Sequence, residues 1–561
     1  MIIGLDVGGT HTDVVLFGDK GVVRDVKVLT DTADLFATVL TGLEKITKDT
    51  DIQDIRRVVL STTLTTNAIV QQKNPQVGMI VSGGPGIDPE LFRTNANYFP
   101  VSGSIDHRGR EVDPIQEDEI RQIAEKLKKE GIRNIGVVSK FSVRNPSHEL
   151  RIADILKENA FGKIFMGHQI SGNLNFPRRI ATAYLNATVH PIHKKFFEAV
   201  RKSLDQKGLS VPIHILKADG GTMSLESSID FPGQSILSGP AASVMGAIAF
   251  ASDAEDSLVM DIGGTTTDIA LLINRAPVLE PLGIRLGPYR TLIRSLKTRS
   301  IGVGGDSAVR VRNGIPEIGP DRVGPAMAYG GSIPTPTDAL VVLGKIRGGD
   351  REKSLQGFES VGKDMGLSSE DAAFHVFDQS CKMILEEVRD MTERINSKPV
   401  YTVHELQEGY QVNPKKLLIL GGPAPYFAGH LEELSHFKVG AVPRWEVANA
   451  IGAALARTTC EVTLFADTEQ GIAAAPEDDF KDTVRQNFSK EDAIEKAYEL
   501  LRKKALERGA TDADDLETEV AEEMQFNMVR GFYTTGRNIR VKVQVRPGLI
   551  YDNEAVADKL L

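Results

Sequence analysis

Cysteine is nearly absent from this chain: Cys381 and Cys460 are the only two among 561 residues. Two thiols cannot build a disulfide framework or a CxxC-type zinc site, and they suit a reducing cytosol. Long apolar runs are missing as well. No stretch approaches 18 uncharged apolar residues, so no membrane span is expected. Net basic charge is absent; the balance is −10, which argues against nucleic acid or an anionic membrane as the main partner. Strand-like residues follow Met1 directly, without a basic leader, so a cytoplasmic location is expected. What is present is ordinary for a globular protein: 41% hydrophobic and 25% charged residues over a length that calls for two to four domains.

Against that plain background one phrase occurs twice. Residues 5–16 read LDVGGTHTDVVL and residues 260–272 read MDIGGTTTDIALL. Asp6, Gly8, Gly9, Thr10, Thr12 and Asp13 align with Asp261, Gly263, Gly264, Thr265, Thr267 and Asp268, 255 positions later. Each copy is an apolar β-branched run, a glycine turn and a second apolar run, which predicts a β-hairpin. Backbone N–H groups of Gly8, Gly9, Thr10, Gly263, Gly264 and Thr265 could wrap phosphate, and the hydroxyls of Thr10, Thr12, Thr265 and Thr267 could add donors. Asp6 and Asp261, placed just before the turns, could hold Mg²⁺. An aspartate in an apolar strand is costly unless used. Two such hairpins facing one another can grip a triphosphate from both sides, and phosphoryl transfer needs little beyond positioning, Mg²⁺ and donors at the developing charge.

Elsewhere strands alternate with amphipathic helices, as in the helix expected over 116–130 with Ile120, Ile123, Ala124 and Leu127 inward. This is the pattern of an α/β chain with parallel sheets. The strand at 58–60 opens onto STTLTTNAIVQQK (61–73), a hydroxyl-rich helix start. VPIHILKADGG (211–221) ends in a turn whose Asp219 is a candidate catalytic base. ILSGPAASVMGAIAFA (236–251) sets Ser238 and Gly239 before an Ala-rich helix. A Gly/Pro-rich stretch at 300–344 embeds Asp306 and Asp338 in turns that suit ligand approach. A third Gly-Gly turn, Gly421-Gly422, follows the strand at 416–420. His190 and His193 in HPIH have the spacing of a metal pair, but the internal proline and the lack of nearby acids favour surface or packing residues. After 466 the sequence TEQGIAAAPEDD reads as a linker and ATDADDLETEVAEE as a solvated face or loop. RNIRVKVQVRPG alternates as a half-exposed strand.

DVGGTHTD, DIGGTTTD and LLILGGPAP resemble the first phosphate, second phosphate and adenosine motifs of the actin-like ATPase superfamily. More narrowly, the order of STTLTTNAIVQQK, ILSGPAASVMGA, VGPAMAYGGSIPTPTDALVVLG, LLILGGPAPYF and SIDHRGREVDPI resembles the hydantoinase A/5-oxoprolinase family over about residues 1–460. The resemblance implies two actin-like (ribonuclease-H-like) domains flanking a nucleotide cleft, over 1–175 and 176–466, with a small α+β appendage at 467–561. It implies ATP and Mg²⁺ as cofactors, with Gly421 and Gly422 at the adenosine. The expected substrate segment comprises Thr62, Thr63, Asn67, Ser238, Gly239, Asp306 and Asp338. The implied activity is ATP-dependent hydrolysis of a cyclic amide by phosphorylation of the amide oxygen. A B-type partner subunit and an oligomeric assembly are expected. Activation of a ketone or bicarbonate in a carboxylase, a nucleotide-gated activator and a small-molecule kinase remain as alternatives. The chain departs from the family at TRSIGVGGDS, where Arg299 and Asp306 replace a His-Thr pair and an uninterrupted glycine run.

Overall fold

The computed structural model describes all residues except 32–33, 63–64, 67–68, 70–74, 252–254, 281, 398–410, 512–515 and 561. Among the described residues no helix is long and apolar enough to cross a membrane.

Each copy of the repeated phrase forms the hairpin its pattern predicts. Ile2–Val7 pairs antiparallel with His11–Gly18, setting Asp6 opposite Asp13, and Ser257–Ile262 pairs with Thr267–Ile273, setting Asp261 opposite Asp268. In both sheets the first strand of the hairpin then takes a parallel neighbour on its other side: Arg57–Thr62 beside Ile2–Val7, and Lys416–Leu420 beside Ser257–Ile262. Duplication thus extends from the phrase to the sheet.

The first sheet runs Thr222–Ser224, Ile213–Leu216, Arg57–Thr62, Ile2–Val7, His11–Gly18, Gly21–Leu29. One face is covered by Leu35–Thr47, whose Val39, Leu43 and Ile46 are buried, and by Phe196, Phe197, Val200 and Leu204 of the long helix Phe176–Gln206. Residues between Thr62 and Ile213 carry a separate all-parallel sheet of Ile164–Met166, Asn134–Ser139, Val77–Ser82 and Tyr98–Pro100. The boundary expected at 175 therefore moves. Ile213–Leu216 pairs with Arg57–Thr62, so the chain returns to the first sheet after the long helix.

The opposite faces of the two hairpin sheets converge on a pair of small-residue helices, Ser238–Ala247 and Ala448–Leu455. Ala and Gly permit this because they let backbone approach backbone. A Cβ on Gly4, in the central strand of the first sheet, would lie 2.1 Å from the Ala450 carbonyl oxygen. The apolar contacts made here, from Val15 and Val59 on one side to Val259 and Leu418 on the other, join the two sheets in one core.

The C-terminal unit differs from expectation at both ends. Glu461–Asp467 pairs with Tyr533–Val545, so the unit begins before 467. The stretch read as a linker contains the strand Ile472–Ala475, and residues 518–523 of the acidic run form the largely exposed start of the strand Thr518–Arg530, a solvated face in place of a loop. The alanines of IAAA are helix formers by propensity, but small side chains suit the tight space under a covering helix. That helix, Lys490–Glu507, buries Ala493, Ala497, Leu501 and Ala505 against Ile539, Val541, Val543 and Val545. The alternation read in RNIRVKVQV is observed. Finally, the helix Asn553–Leu560 sends Val556 and Leu560 back into the central core beside Ile2 and Phe17.

Candidate active site

The two glycine turns are closed in the same way, by Gly8 N donating to His11 O at 3.0 Å and Gly263 N donating to Thr266 O at 2.9 Å. Those two amides are consumed by the turns, which corrects their expected role as phosphate donors. Gly9 and Gly264 stand exposed at the apices. Thr12 and Thr267 are also corrected: both are fully buried, one hydroxyl paired with Thr30 Oγ1 at 2.9 Å and the other donating to Val303 O at 2.7 Å. They pin the hairpins from behind. Thr10 and Thr265 keep side chains at or near the surface.

Asp6 and Asp261 come together. The Asn449 carboxamide, at the start of Ala448–Leu455, donates to Asp261 Oδ2 at 3.1 Å, and Ser243 Oγ of the other central helix donates to the same oxygen at 2.6 Å. Asp6 lies within reach of Asn449 and Ser61 and feels the charge of Asp261. Burial raises its carboxyl; Ser61 draws it back, and the like charges of Asp13 and Asp261 add, leaving it at about 6. Asp6 Oδ1 and Asn449 Oδ1 are buried without a hydrogen-bond partner. Among the described residues there is no cluster of three or more His, Cys, Asp and Glu that would hold a metal unaided. Two neighbouring carboxylates, with the orphaned oxygens of Asp6 and Asn449 beside them, do fit Mg²⁺, which commonly takes one or two carboxylates and completes its shell with water and phosphate.

Asp268, opposite Asp261 in the hairpin, is also raised to about 6, by burial first, against a hydrogen bond from Ser300. Its folded-state value lies above the ordinary 3.8, so it favours the fold below that pH and loses this contribution as pH rises through about 6. Asp268→Asn is therefore expected to raise the melting temperature above pH 6, by roughly 2–3 kcal/mol of stability, with the gain vanishing near pH 4. Scanning calorimetry across that range checks the sign; an equal effect at both ends would remove charge as the cause.

The third Gly-Gly turn reaches the same place. Gly421 has φ +97°, and a Cβ there would sit 2.3 Å from Ile262 O and 2.5 Å from Asp261 Oδ1. Gly422 is exposed and has open space around it. Asp306 is stationed at the second turn: its amide donates to Gly264 O, and its carboxylate binds Arg322 at 2.8 Å. Arg322 Nη1 in turn donates to Thr10 Oγ1 of the first hairpin at 2.7 Å. One guanidinium thus bridges the two glycine turns. Arg299 points elsewhere, pairing with Glu387 on the helix Ser369–Asn396.

Other expected site residues divide. Ser238 Oγ donates to Thr62 O at 3.0 Å and accepts from Thr62 N, joining two segments placed together only by the fold. Gly239 follows within the same helix, its carbonyl oxygen 3.2 Å from Ser243 Oγ. Thr63 and Asn67 lie outside the described residues. Asp338 is corrected to a scaffold role: it is fully buried and accepts from Met327 N, Ala328 N, Thr335 N, Thr335 Oγ1 and Ser354 Oγ. No lone pair is left for a substrate.

Asp219 is corrected too. It is buried and accepts from Lys217 Nζ, Gly221 N and Thr459 Oγ1. Burial pushes its carboxyl up, but the Lys217 and Arg294 charges outweigh this and hold it below the ordinary range. Such a carboxylate is a poor base. Of the surface and packing readings of His190 and His193, the structure selects packing: both are buried in the long helix, and His193 Nε2 meets Ser228 Oγ.

The residues missed by sequence reasoning are Ser243, Asn449 and Arg322. Ser243 lay inside a quoted motif. Asn449 carries no spacing signal because it reaches Asp261 across 188 positions, and Arg322, although it pairs with nearby Asp306, reaches the first glycine turn across 312.

Two family models cover most of the chain: hydantoinase/oxoprolinase N-terminal region over residues 2–160 and hydantoinase/oxoprolinase over 179–462. The chain belongs to the hydantoinase/oxoprolinase family. Within it, caprolactamase subunit alpha of Pseudomonas jessenii is 23% identical over 492 residues, covering 79% of this chain and 68% of that one. Among solved structures, the nucleotide-free acetone carboxylase, from work on ATP-dependent acetone carboxylation, has a TM-score of 0.72 at 18% identity. It covers 99% of this chain and 88% of that chain. The ATP-dependent caprolactamase of Pseudomonas jessenii has a TM-score of 0.69 at 19% identity, with coverages of 98% and 88%. The fold of these two proteins is therefore shared over nearly all of this chain.

Proposed function

We propose that this protein is an ATP-dependent hydrolase of a cyclic amide, acting as the ATPase subunit of a two-component enzyme. The observation that carries the reading is the meeting of Asp6 and Asp261 through Asn449, at the mouths of two glycine turns bridged by Arg322. The duplicated hairpin sheets support an actin-like arrangement in which ATP lies between them, its phosphates against the two turns and its adenosine near Gly421-Gly422.

Asp6 and Asp261 would hold Mg²⁺, whose charge neutralises phosphate oxygens during transfer. Gly9, Thr10, Gly264 and Thr265 offer donors to the phosphates, and Arg322 is placed to release Thr10 and take up charge on the γ-phosphoryl group. The lactam oxygen attacks the γ-phosphorus, its P–O bond to ADP breaks, and an imidate phosphate forms. Water then adds to that activated carbon, the C–N bond opens to leave a free amine and an acyl phosphate, and a second water cleaves the acyl phosphate to carboxylate and phosphate, so that two waters are consumed for each ATP. The kinase alternative rested on Asp219 as base, and its occupied, low-pKa carboxylate removes that support. The word "subunit" in the caprolactamase relative's name supports a B-type partner that supplies the hydrolytic half.

The test is ADP release measured with hydantoin, 5-oxoproline, caprolactam, and a ketone plus bicarbonate, each with and without the partner subunit. One lactam is expected to stimulate turnover, with ring-opened product matching ADP mole for mole. Stimulation by ketone and bicarbonate instead would assign the protein to carboxylation. ADP release that no substrate alters would favour a nucleotide-gated activator.

A further inference from the structure

The strand Thr518–Arg530 is the outer edge of the C-terminal sheet. It pairs with Tyr533–Val545 on one side, and among the described residues no strand pairs with its other side. A 13-residue strand with a free edge is a ready template for another strand, and such edges are usually short or blunted. This one carries no proline or lysine and exposes Met524, Phe526 and Val529, Phe526 by 64%.

The order of residues along that edge answers the question of what covers it. Counted outward from Phe526, Gln525 is matched by Asn527, Met524 by Met528 and Glu522 by Arg530, while Glu523 falls against Val529 as the one unlike pair. An antiparallel strand of the same sequence, centred on Phe526, would therefore set amide beside amide, thioether beside thioether and acid beside base. Phe526 would face its own copy. The geometry permits this register. Of the two irregularities in the hairpin, the first places the extra residue Ala521 on this strand, and the second places Thr535 on its neighbour, so Glu522–Arg530 itself runs without a bulge. The midpoint of that run is Phe526.

The faces agree as well. Glu523 and Gln525 stand opposite Val541 and Ile539, on the side covered by Lys490–Glu507, where Glu523 pairs with Lys490. Met524, Phe526 and Met528 lie on the open side, opposite Arg540, Asn538 and Gly536. Within the chain Glu522 lies 3.5 Å from Arg540 and Arg530 lies 3.0 Å from Glu469. Arg530 remains 69% exposed, with donors to spare.

We infer that this edge is an isologous interface: two copies of the chain pair their Thr518–Arg530 strands antiparallel about a two-fold axis at Phe526, making one ten-stranded sheet from two five-stranded ones. The inference is independent of the catalytic reading, since none of these residues belongs to the candidate active site.

The axis supplies its own test, because position 526 meets only itself. Analytical ultracentrifugation of the full-length protein at micromolar concentration is expected to give twice the chain mass. Phe526→Glu and Phe526→Lys should each sediment as single chains, since like charges would face each other, and their equimolar mixture should recover the dimer. Phe526→Cys should form an intermolecular disulfide under mild oxidation. Unchanged melting temperatures in the two charged variants would show that they fold. A single-chain mass for the wild type overturns the inference. So does a wild-type dimer that survives both charged variants, or a mixture that stays monomeric. An edge that becomes protected only when a different subunit is added overturns it in favour of a heterologous partner.

Discussion

Asp6→Asn and Asp261→Asn are each expected to lower ATPase turnover at least tenfold, about 1.4 kcal/mol of barrier, while leaving the fold intact. Asparagine keeps the volume of the side chain and can still accept from Ser243 or Asn449, so packing around the central helices survives. What disappears is the negative charge that would hold Mg²⁺ against the phosphates. For Asp6 the stability change has a known sign. Its carboxyl is raised to about 6 by burial and by the neighbouring acids, so its ionised form opposes folding at neutral pH, and the neutral amide relieves that opposition. A protein that melts no earlier at pH 7.5 yet hydrolyses ATP far more slowly would separate a site role from a scaffold role. Full turnover in both variants would remove the carboxylates from the mechanism. The balance is typical of sites whose function opposes stability.

A comparably large loss is expected from Gly421→Val, for a steric reason. Valine disfavours the positive φ of this turn, and its Cβ would fall 2.3 Å from Ile262 O and 2.5 Å from Asp261 Oδ1. Neither group can yield easily. Ile262 is the last residue of the central strand of the second sheet, and Asp261 is held by Ser243 and Asn449. The backbone would have to move, at about 3 kcal/mol for strain and overpacking together, and the displaced carboxylate should reproduce the Asp261→Asn defect. Gly422→Ala is the control. Nothing lies within 4 Å of its new methyl group, so the protein should fold normally. If adenosine rests there, the KM for ATP should rise with kcat nearly unchanged. Equal behaviour of the two variants would refute the steric account of the third turn.

Features that depend on neighbouring residues were legible in the linear chain. The hairpins follow from β-branched runs interrupted by Gly-Gly. The helix Glu117–Lys129 follows from the spacing of Ile120, Ala124 and Leu127, and the strand ending at Val545 from strict alternation. Repetition of the aspartate-glycine phrase was enough to pick out Asp6 and Asp261 as a pair, although 255 positions separate them.

Tertiary structure alone decided which polar groups are free to act. Asp219, Asp261 and Asp338 all look alike in sequence, each an acid beside a strand end or turn. Five donors close on Asp338 and a lysine and a threonine occupy Asp219, whereas Asp261 stands beside Asp6, whose buried Oδ1 has no partner. Thr12 and Thr267 were separated from Thr10 by the same accounting, because Thr10 sits in the turn while the other two lie in the second strands of their hairpins with their hydroxyls taken by protein. The bridging role of Arg322 and the place of Asn449 could not be found locally, since Thr10 and Asp261 lie 312 and 188 positions away from them. Local sequence determines the shape of each hairpin through backbone preference. Whether a side chain on it meets ligand or protein depends on desolvation and long-range hydrogen bonding, which exist only once the two sheets have closed on their shared pair of helices.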